Sequence, residues 1–360
     1  MKKKIAIIFG GRSSEHEVSI RSAYNILKAL NLSLFEPILI AVSKQGTWYQ
    51  VTEKEMGEIK FVDDQKNAPQ KAVSLVSFHG EAMLIDLQNF AKQKIDCAFP
   101  IIHGTNGEDG ALQGLLKMAS VPFVGCGVMS SAVAMDKEAM KIVMTAAGIK
   151  NAKYAVLKSH EKNNFTSIKE QLGLPFFIKP ANAGSSVGVH KIKTESDFES
   201  KLKDAFQYDH KVLAEEFIEG REIECSVMGL NQNPKAGTPG ELIVKHEFYS
   251  YEAKYLDDNG AEIIIPAKTD VDKIEEIRKL AIKTYKALFC DGLTRVDFFM
   301  KKDGTLYVNE INTLPGFTKI SMYPMMWEAS GLKYSDLITE LINFAFAKFE
   351  YENQLKMTYL

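Results

Sequence analysis

Short apolar runs alternate with helix-like stretches through the first half of the chain. Residues 4–9 carry Ile5-Ala6-Ile7-Ile8-Phe9, then the turn Gly10-Gly11, then a helix-like stretch over 16–30. A brief apolar run bounded by turn residues predicts a buried strand, so the opening reads strand, loop, helix. Residues 35–43 and 95–101 predict further strands. The segment 50–80 is polar and reads as a small excursion from the core, and Val121-Pro122-Phe123-Val124-Gly125 closes this first region. A helix is predicted over 130–147, with Gly148 as its C-terminal cap, and strands over 176–180 and 212–218. In the last third, 294–300 and 306–311 alternate with a period of two around Lys301-Lys302-Asp303-Gly304-Thr305, the pattern of an antiparallel hairpin. A closing helix is predicted over 334–350. No internal repeat and no low-complexity segment interrupts the pattern.

Composition narrows the class. At 360 residues the chain is too long for one ordinary core and predicts two or three domains. Apolar residues at 46% and charged residues at 25% are ordinary for a globular enzyme. A net charge of -2 supplies no basic field for nucleic acid or anionic membrane, although a few local lysines suffice for a phosphorylated ligand. Cys97, Cys126, Cys225 and Cys290 form no CxxC pair, which argues against a zinc site or a disulfide framework and for buried thiols in a reducing cytoplasm. The apolar run after Met1-Lys2-Lys3-Lys4 is too short for a signal peptide, and none is long enough to span a membrane.

Several loops and strands carry candidate chemistry. Strand side chains repeat every two residues, so Arg295 shares a face with Asp297, and Glu310 shares one with Asn312 on the partner strand. A hairpin brings the four together, and two carboxylates with an amide oxygen suit magnesium beside substrate phosphates. A solvated sheet face with cross-strand ion pairs fits the same pattern, though Phe298, Phe299 and Val308 make a simply wet surface a poor description. Lys179 ends a strand before the Gly/Ser loop 181–188, where a lysine and backbone N–H groups can hold phosphates. This is not a Walker loop, since the chain has no Gly-Lys dipeptide. Gly125-Cys126-Gly127 lacks the third glycine of a dinucleotide fingerprint and reads as a tight turn before a helix. In the loop 10–19, Glu15 fits either a substrate ammonium or the dipole of the helix that follows. The loop 103–110 combines glycines with acids, and His103 alone reads equally well as structural.

Taken together, GGRSSEHEVS (10–19), HGTNGEDG (103–110), MDK (135–137), KPANAGSSVG (179–188), EEFIEGREIE (215–224), YEAKY (251–255), RVDFF (295–299) and NEINTLPGFT (309–318) resemble the D-alanine–D-alanine ligases of the ATP-grasp superfamily. The resemblance runs from Gly10 to about Ser330 and carries nothing for 45–95 and 230–245. It implies an ATP-grasp fold of three α/β domains, 1–128, 129–214 and 215–360, with ATP held between the central and C-terminal ones. It implies that Lys137 and Lys179 contact phosphates, that Glu215, Phe217 and Ile218 meet adenine, and that Glu222 takes the ribose. Phe217, Phe248 and Phe299 would wall the purine, and Lys254, in a mobile loop over 248–258, would reach the γ-phosphate. Asp297, Glu310 and Asn312 would hold two magnesium ions, manganese being an alternative. Glu15 and His103 would serve the first D-alanine, Ser185 and Tyr255 would link Glu15 to the closed loops, and Arg295 with the Gly316 N–H would form an oxyanion hole. Ser321 and Met322 would position the second D-alanine, Met322 standing where leucine is frequent in the family. The resemblance further implies a cytoplasmic homodimer making peptidoglycan precursors. Another ATP-grasp ligase, a D-alanine–D-lactate ligase and a non-catalytic nucleotide-binding protein remain alternatives; the first two separate from the leading reading only at 10–19, 103–110 and 251–255.

Overall fold

The computed structural model describes residues 2–57, 71–244 and 261–356. Phe248, Lys254, Tyr255 and the whole loop expected over 248–258 lie outside them. Among the described residues the strands form four sheets. In the first, Lys3–Gly10 lies between Phe35–Val42 and Cys97–Pro100, parallel to both, and Trp48–Val51 adds an antiparallel edge. The helix His16–Ala29 covers this sheet, burying Ile20, Ala23, Ile26 and Leu27 at the helical spacing. The polar excursion is a separate small sheet of Val73–Phe78, Glu81–Asp86 and Lys92–Lys94.

The central sheet is antiparallel, with Phe176–Pro180 and Lys211–Glu216 at its middle. The third and largest sheet runs through Arg221–Gly229, Gly292–Met300 and Leu306–Asn312. Burial alternates along Gly292–Met300. Val296, Phe298 and Met300 enter the core, and Arg295, Asp297 and Phe299 face the other way. That alternation is the period-two pattern expected of a half-covered antiparallel strand.

One expectation is corrected. The stretch expected as a single helix over 130–147 is two, Val128–Met135 and Lys137–Ala146. Asp136 breaks it by taking an extended backbone, with ψ at 104°, and accepting hydrogen bonds from the N–H groups of Glu138 and Ala139. An aspartate N-cap satisfies the orphan donors of a new helix, and here it outweighs the continuing apolar period. Gly148 then follows the second helix with φ at +64°, as its cap position requires.

The apolar clusters tie distant parts of the chain together. Met140 and Met144 of the second helix pack with Ile223, Val296 and Val308 of the third sheet. The closing helix, Tyr334–Glu352, packs Leu337, Ile338, Leu341 and Ile342 against Ile5, Ile7 and Phe9 of the first sheet. Sequence-distant segments thereby surround a single opening.

Candidate active site

The opening is a cavity of about 1030 Å³ bounded by the helix His16–Ala29 and the loops beside the first sheet, and by the central and third sheets. Glu15, His103, Lys137, Lys179, Ser185, Glu215, Phe217, Ile218, Glu222, Arg295, Asp297, Phe299, Glu310, Asn312, Gly316, Ser321 and Met322 all line it. Every described residue singled out from sequence therefore stands on one wall or another of the same space. Glu108, Phe177, Glu224 and Asn309 line it too and were not singled out.

At the hairpin, Asp297 pairs with Glu310 and Arg295 with Asn312 across the strands. The register then shifts, since Phe298 pairs with Val308 and Asn309 has no opposite residue. A bulge of this kind re-aims side chains, and here Asn309 and Glu310 both reach the cavity although they are adjacent in sequence. Arg295 donates from Nε and Nη2 to the two oxygens of Asp297, each at 2.7 Å, and its Nε lies 2.9 Å from Glu224 Oε2. Burial alone would favour the neutral guanidine, but Asp297, Glu224 and Glu310 outweigh it and keep Arg295 charged.

Three carboxylates around one guanidinium leave an excess of negative charge, and their oxygens are the hard donors a divalent cation prefers. Among the described residues no three of histidine, cysteine, aspartate and glutamate converge as a metal cluster. The expected set of two carboxylates and an amide leaves positions for phosphate and water, which is how magnesium is commonly held. The residues therefore fit such an ion.

The adjoining wall is cationic. Lys179 donates to Glu215 Oε2 at 2.9 Å and to Asn309 Oδ1 at 3.3 Å, and Lys137 donates to the carbonyl of Ala183 at 2.6 Å. Glu215 is buried, which by itself raises a carboxyl pKa, but the neighbouring Lys179, Lys141 and Lys137 hold it at about 2. Burial lowers the pKa of Lys137, with Lys179 adding to the effect and Glu310 opposing it. Lys179 shows the reverse balance, raised because Glu215 overcomes burial. Beside this wall Phe177 and Phe217 lie with ring centroids 6.0 Å apart, and Lys191 Nζ sits 4.6 Å from the Phe217 ring.

At the first-sheet end, Glu15 occupies the N-cap position of His16–Ala29 without a capping hydrogen bond from its side chain. It accepts instead from the Ser185 hydroxyl, 170 positions away. Ser185 and Ser186 take φ values of 51° and 59°, a left-handed conformation uncommon outside glycine. His103 is buried, with Nδ1 3.0 Å from the carbonyl of Leu314 and Nε2 3.2 Å from Ser22 Oγ. Phe317 N–H donates to that same serine oxygen, which fixes the 316–321 segment on the first helix. A methyl group on Gly316 would come within 2.7 Å of Ser321 Oγ and would push that hydroxyl off its hydrogen bonds with Thr318. Ser321 precedes the helix Met322–Ala329, and Met322 is buried at its start.

Residues 4–126 match the family described as D-ala D-ala ligase N-terminus, and 143–343 match D-ala D-ala ligase C-terminus. The D-alanine–D-alanine ligase of Oceanobacillus iheyensis is 48% identical over 99% of this chain and 98% of its own length. Among solved structures, the D-alanine-D-alanine ligase of Coxiella burnetii superposes with a TM-score of 0.86 at 36% identity, covering 98% of this chain and 96% of that one. The VanG D-Ala:D-Ser ligase of Enterococcus faecalis gives 0.84 at 36% identity, covering 96% and 100%.

Proposed function

Because this chain belongs to the D-alanine–D-alanine ligase family, we propose that it uses ATP to join two D-alanines into D-alanyl-D-alanine for peptidoglycan precursor synthesis. Its fold is the ATP-grasp fold of that family. The observation that carries the reading is the single cavity joining Glu15, Lys179, Arg295, Glu310 and Ser321. The working units are 1–128, 129–214 and 215–360, the two helices after Gly127 docking on the third sheet. A cytoplasmic homodimer is part of the proposal, and no helix among the described residues is long and apolar enough to cross a membrane.

The first D-alanine sits with its ammonium on Glu15, near His103. Its carboxylate attacks the γ-phosphate of ATP, forming an acyl phosphate and ADP. Lys137 and Lys179 neutralise phosphate charge, with Lys254 of the loop over 248–258 reaching the γ-phosphate, and this is mostly positioning plus electrostatics. Glu215, Phe217 and Ile218 hold adenine between Phe217, Phe248 and Phe299, and Glu222 takes the ribose. Asp297, Glu310 and Asn312 hold magnesium, or manganese, which when bound adds Lewis-acid stabilisation of the phosphates. The uncharged amine of the second D-alanine, positioned by Ser321 and Met322, attacks the acyl carbon. The N–H of Gly316 and the guanidinium of Arg295 stabilise the oxyanion. Phosphate then leaves. Ser185 with Tyr255 keeps the loops closed over Glu15, which excludes the water that would hydrolyse the acyl phosphate.

The test is phosphate release with magnesium-ATP and a panel of acceptors, with chromatography of the products. Phosphate release requiring D-alanine, with D-alanyl-D-alanine dominant when D-serine and D-lactate compete at neutral pH, is expected. A dominant mixed product would move the chain to another acceptor class. Glu310→Gln is expected to lower turnover by about 100-fold or more while leaving the melting temperature near that of the parent. Near-normal turnover at ordinary magnesium would remove Glu310 from the metal site.

A further inference from the structure

One more ammonium stands behind the wall that carries Lys179. Lys141 follows Lys137 by one turn on Lys137–Ala146, and its side chain is fully buried. Its Nζ lies 3.5 Å from Glu215 Oε1 and 3.4 Å from the carbonyl of Ala152, with the Tyr154 ring centroid 5.6 Å away. The other oxygen of Glu215 accepts from Lys179. One buried carboxylate therefore holds a lysine on each of its oxygens, and of these two lysines only Lys179 lines the cavity.

We propose that Lys141 is the standing counter-ion of Glu215, a positioning residue that lets Lys179 leave that carboxylate for the phosphates of the nucleotide. The inference rests on the reading of Lys179 as a phosphate contact. A buried charge left without a partner is far more unfavourable than a buried pair is favourable. Were Lys179 the only cation on Glu215, its movement to a phosphate would strand the carboxylate. Lys141 removes that penalty, because it stays on Oε1 whether Lys179 is on Oε2 or not. The other contact of Lys179, Asn309 Oδ1, is neutral and easily given up. A side chain needed only for volume would be apolar here, since its helix neighbours Met140 and Met144 belong to the hydrophobic core and burying an ammonium has a large desolvation penalty. With Lys179 in place the Glu215 carboxylate is held at about 2 by Lys179, Lys141 and Lys137 together, so it is Lys141 and Lys137 that keep it charged when Lys179 moves.

Calorimetry with ADP and with adenosine tests this, since only ADP carries phosphates for Lys179 to reach. Lys141→Met is expected to weaken ADP about tenfold, about 1.4 kcal/mol, with adenosine unchanged. Adding Glu215→Gln removes the stranded charge, and the double variant should match Glu215→Gln alone within about twofold. Lys141→Arg keeps the charge and should bind ADP like the parent. Equal losses for ADP and adenosine, or a double variant far weaker than Glu215→Gln, would overturn the proposal. The double variant carries no isolated charge, so that second comparison holds even if Lys141→Met fails to fold. Lys179→Ala separates the two ideas: unchanged ADP affinity there defeats the phosphate reading itself. A loss there with none in Lys141→Met defeats the role of Lys141 alone.

Discussion

His103 shows how much a single side chain depends on what encloses it. Burial alone would push its imidazole towards the neutral form, yet Glu108, 3.5 Å from Nδ1, and Glu15 together raise its pKa above the ordinary value. Burial likewise raises Glu108, so the pair favours holding a proton between them. A group whose pKa rises on folding adds stability that is complete below its unfolded value, near 6.5 for histidine, and is lost as pH climbs through the higher folded value. The difference in melting temperature between the parent and His103→Gln is therefore expected to be largest near about pH 6 and to shrink towards about pH 9. Thermal scans across that range check it, and a gap independent of pH would mean that folding leaves the His103 pKa unchanged. On the proposal that Glu15 holds the ammonium of the first D-alanine, the same proton places positive charge beside it, and binding of that ammonium is expected to tighten once His103 is neutral.

At the scale of elements, the strands were legible because short apolar runs and period-two alternation have few other uses. The strands at 35–42 and 176–180 and the hairpin at 292–312 appear close to where the pattern puts them. The helix break was not, because apolar periodicity runs on through Met135-Asp136-Lys137 and only the cap chemistry of Asp136 interrupts it. Asp136→Ala is expected to lower stability by about 1 kcal/mol, read as a lower urea midpoint at an unchanged slope. It also removes one of two carboxylates from Lys211, which pairs with Asp136 at 2.6 Å and with Glu138 at 2.9 Å. No shift in the midpoint would mean that the cap contributes nothing. The site was less legible for a related reason. Strict alternation predicts one cavity-facing residue in every two, so the bulge hid Asn309; the adjacent polar pair Asn309-Glu310 was its only trace. Glu224 sits in a mostly apolar strand and Lys141 on a core-facing helix stripe, where a charged residue reads as noise until its partner, 71 and 74 positions away respectively, is brought alongside.

For the molecule as a whole, the cavity exists because segments remote in sequence close around it. The first sheet shares its core with Tyr334–Glu352, so the two ends of the fold are one hydrophobic unit. Leu341 is fully buried in that unit. Leu341→Ala is expected to destabilise by about 2–5 kcal/mol and to speed amide exchange in Lys3–Gly10, some 330 residues earlier in the chain. Exchange that quickens only in the closing helix would show the two to be independent. This packing also orders events during synthesis. At about 5–20 residues per second, the ribosome delivers the closing helix roughly 15–60 s after it has finished the strand Phe35–Val42. For that interval the face of the first sheet that carries Ile5, Ile7 and Phe9 has His16–Ala29 over it but lacks the cover of the closing helix. The part of the protein made first is thus the part finished last, and a nascent chain in that window is a natural client for whatever shields exposed apolar surface in the cell.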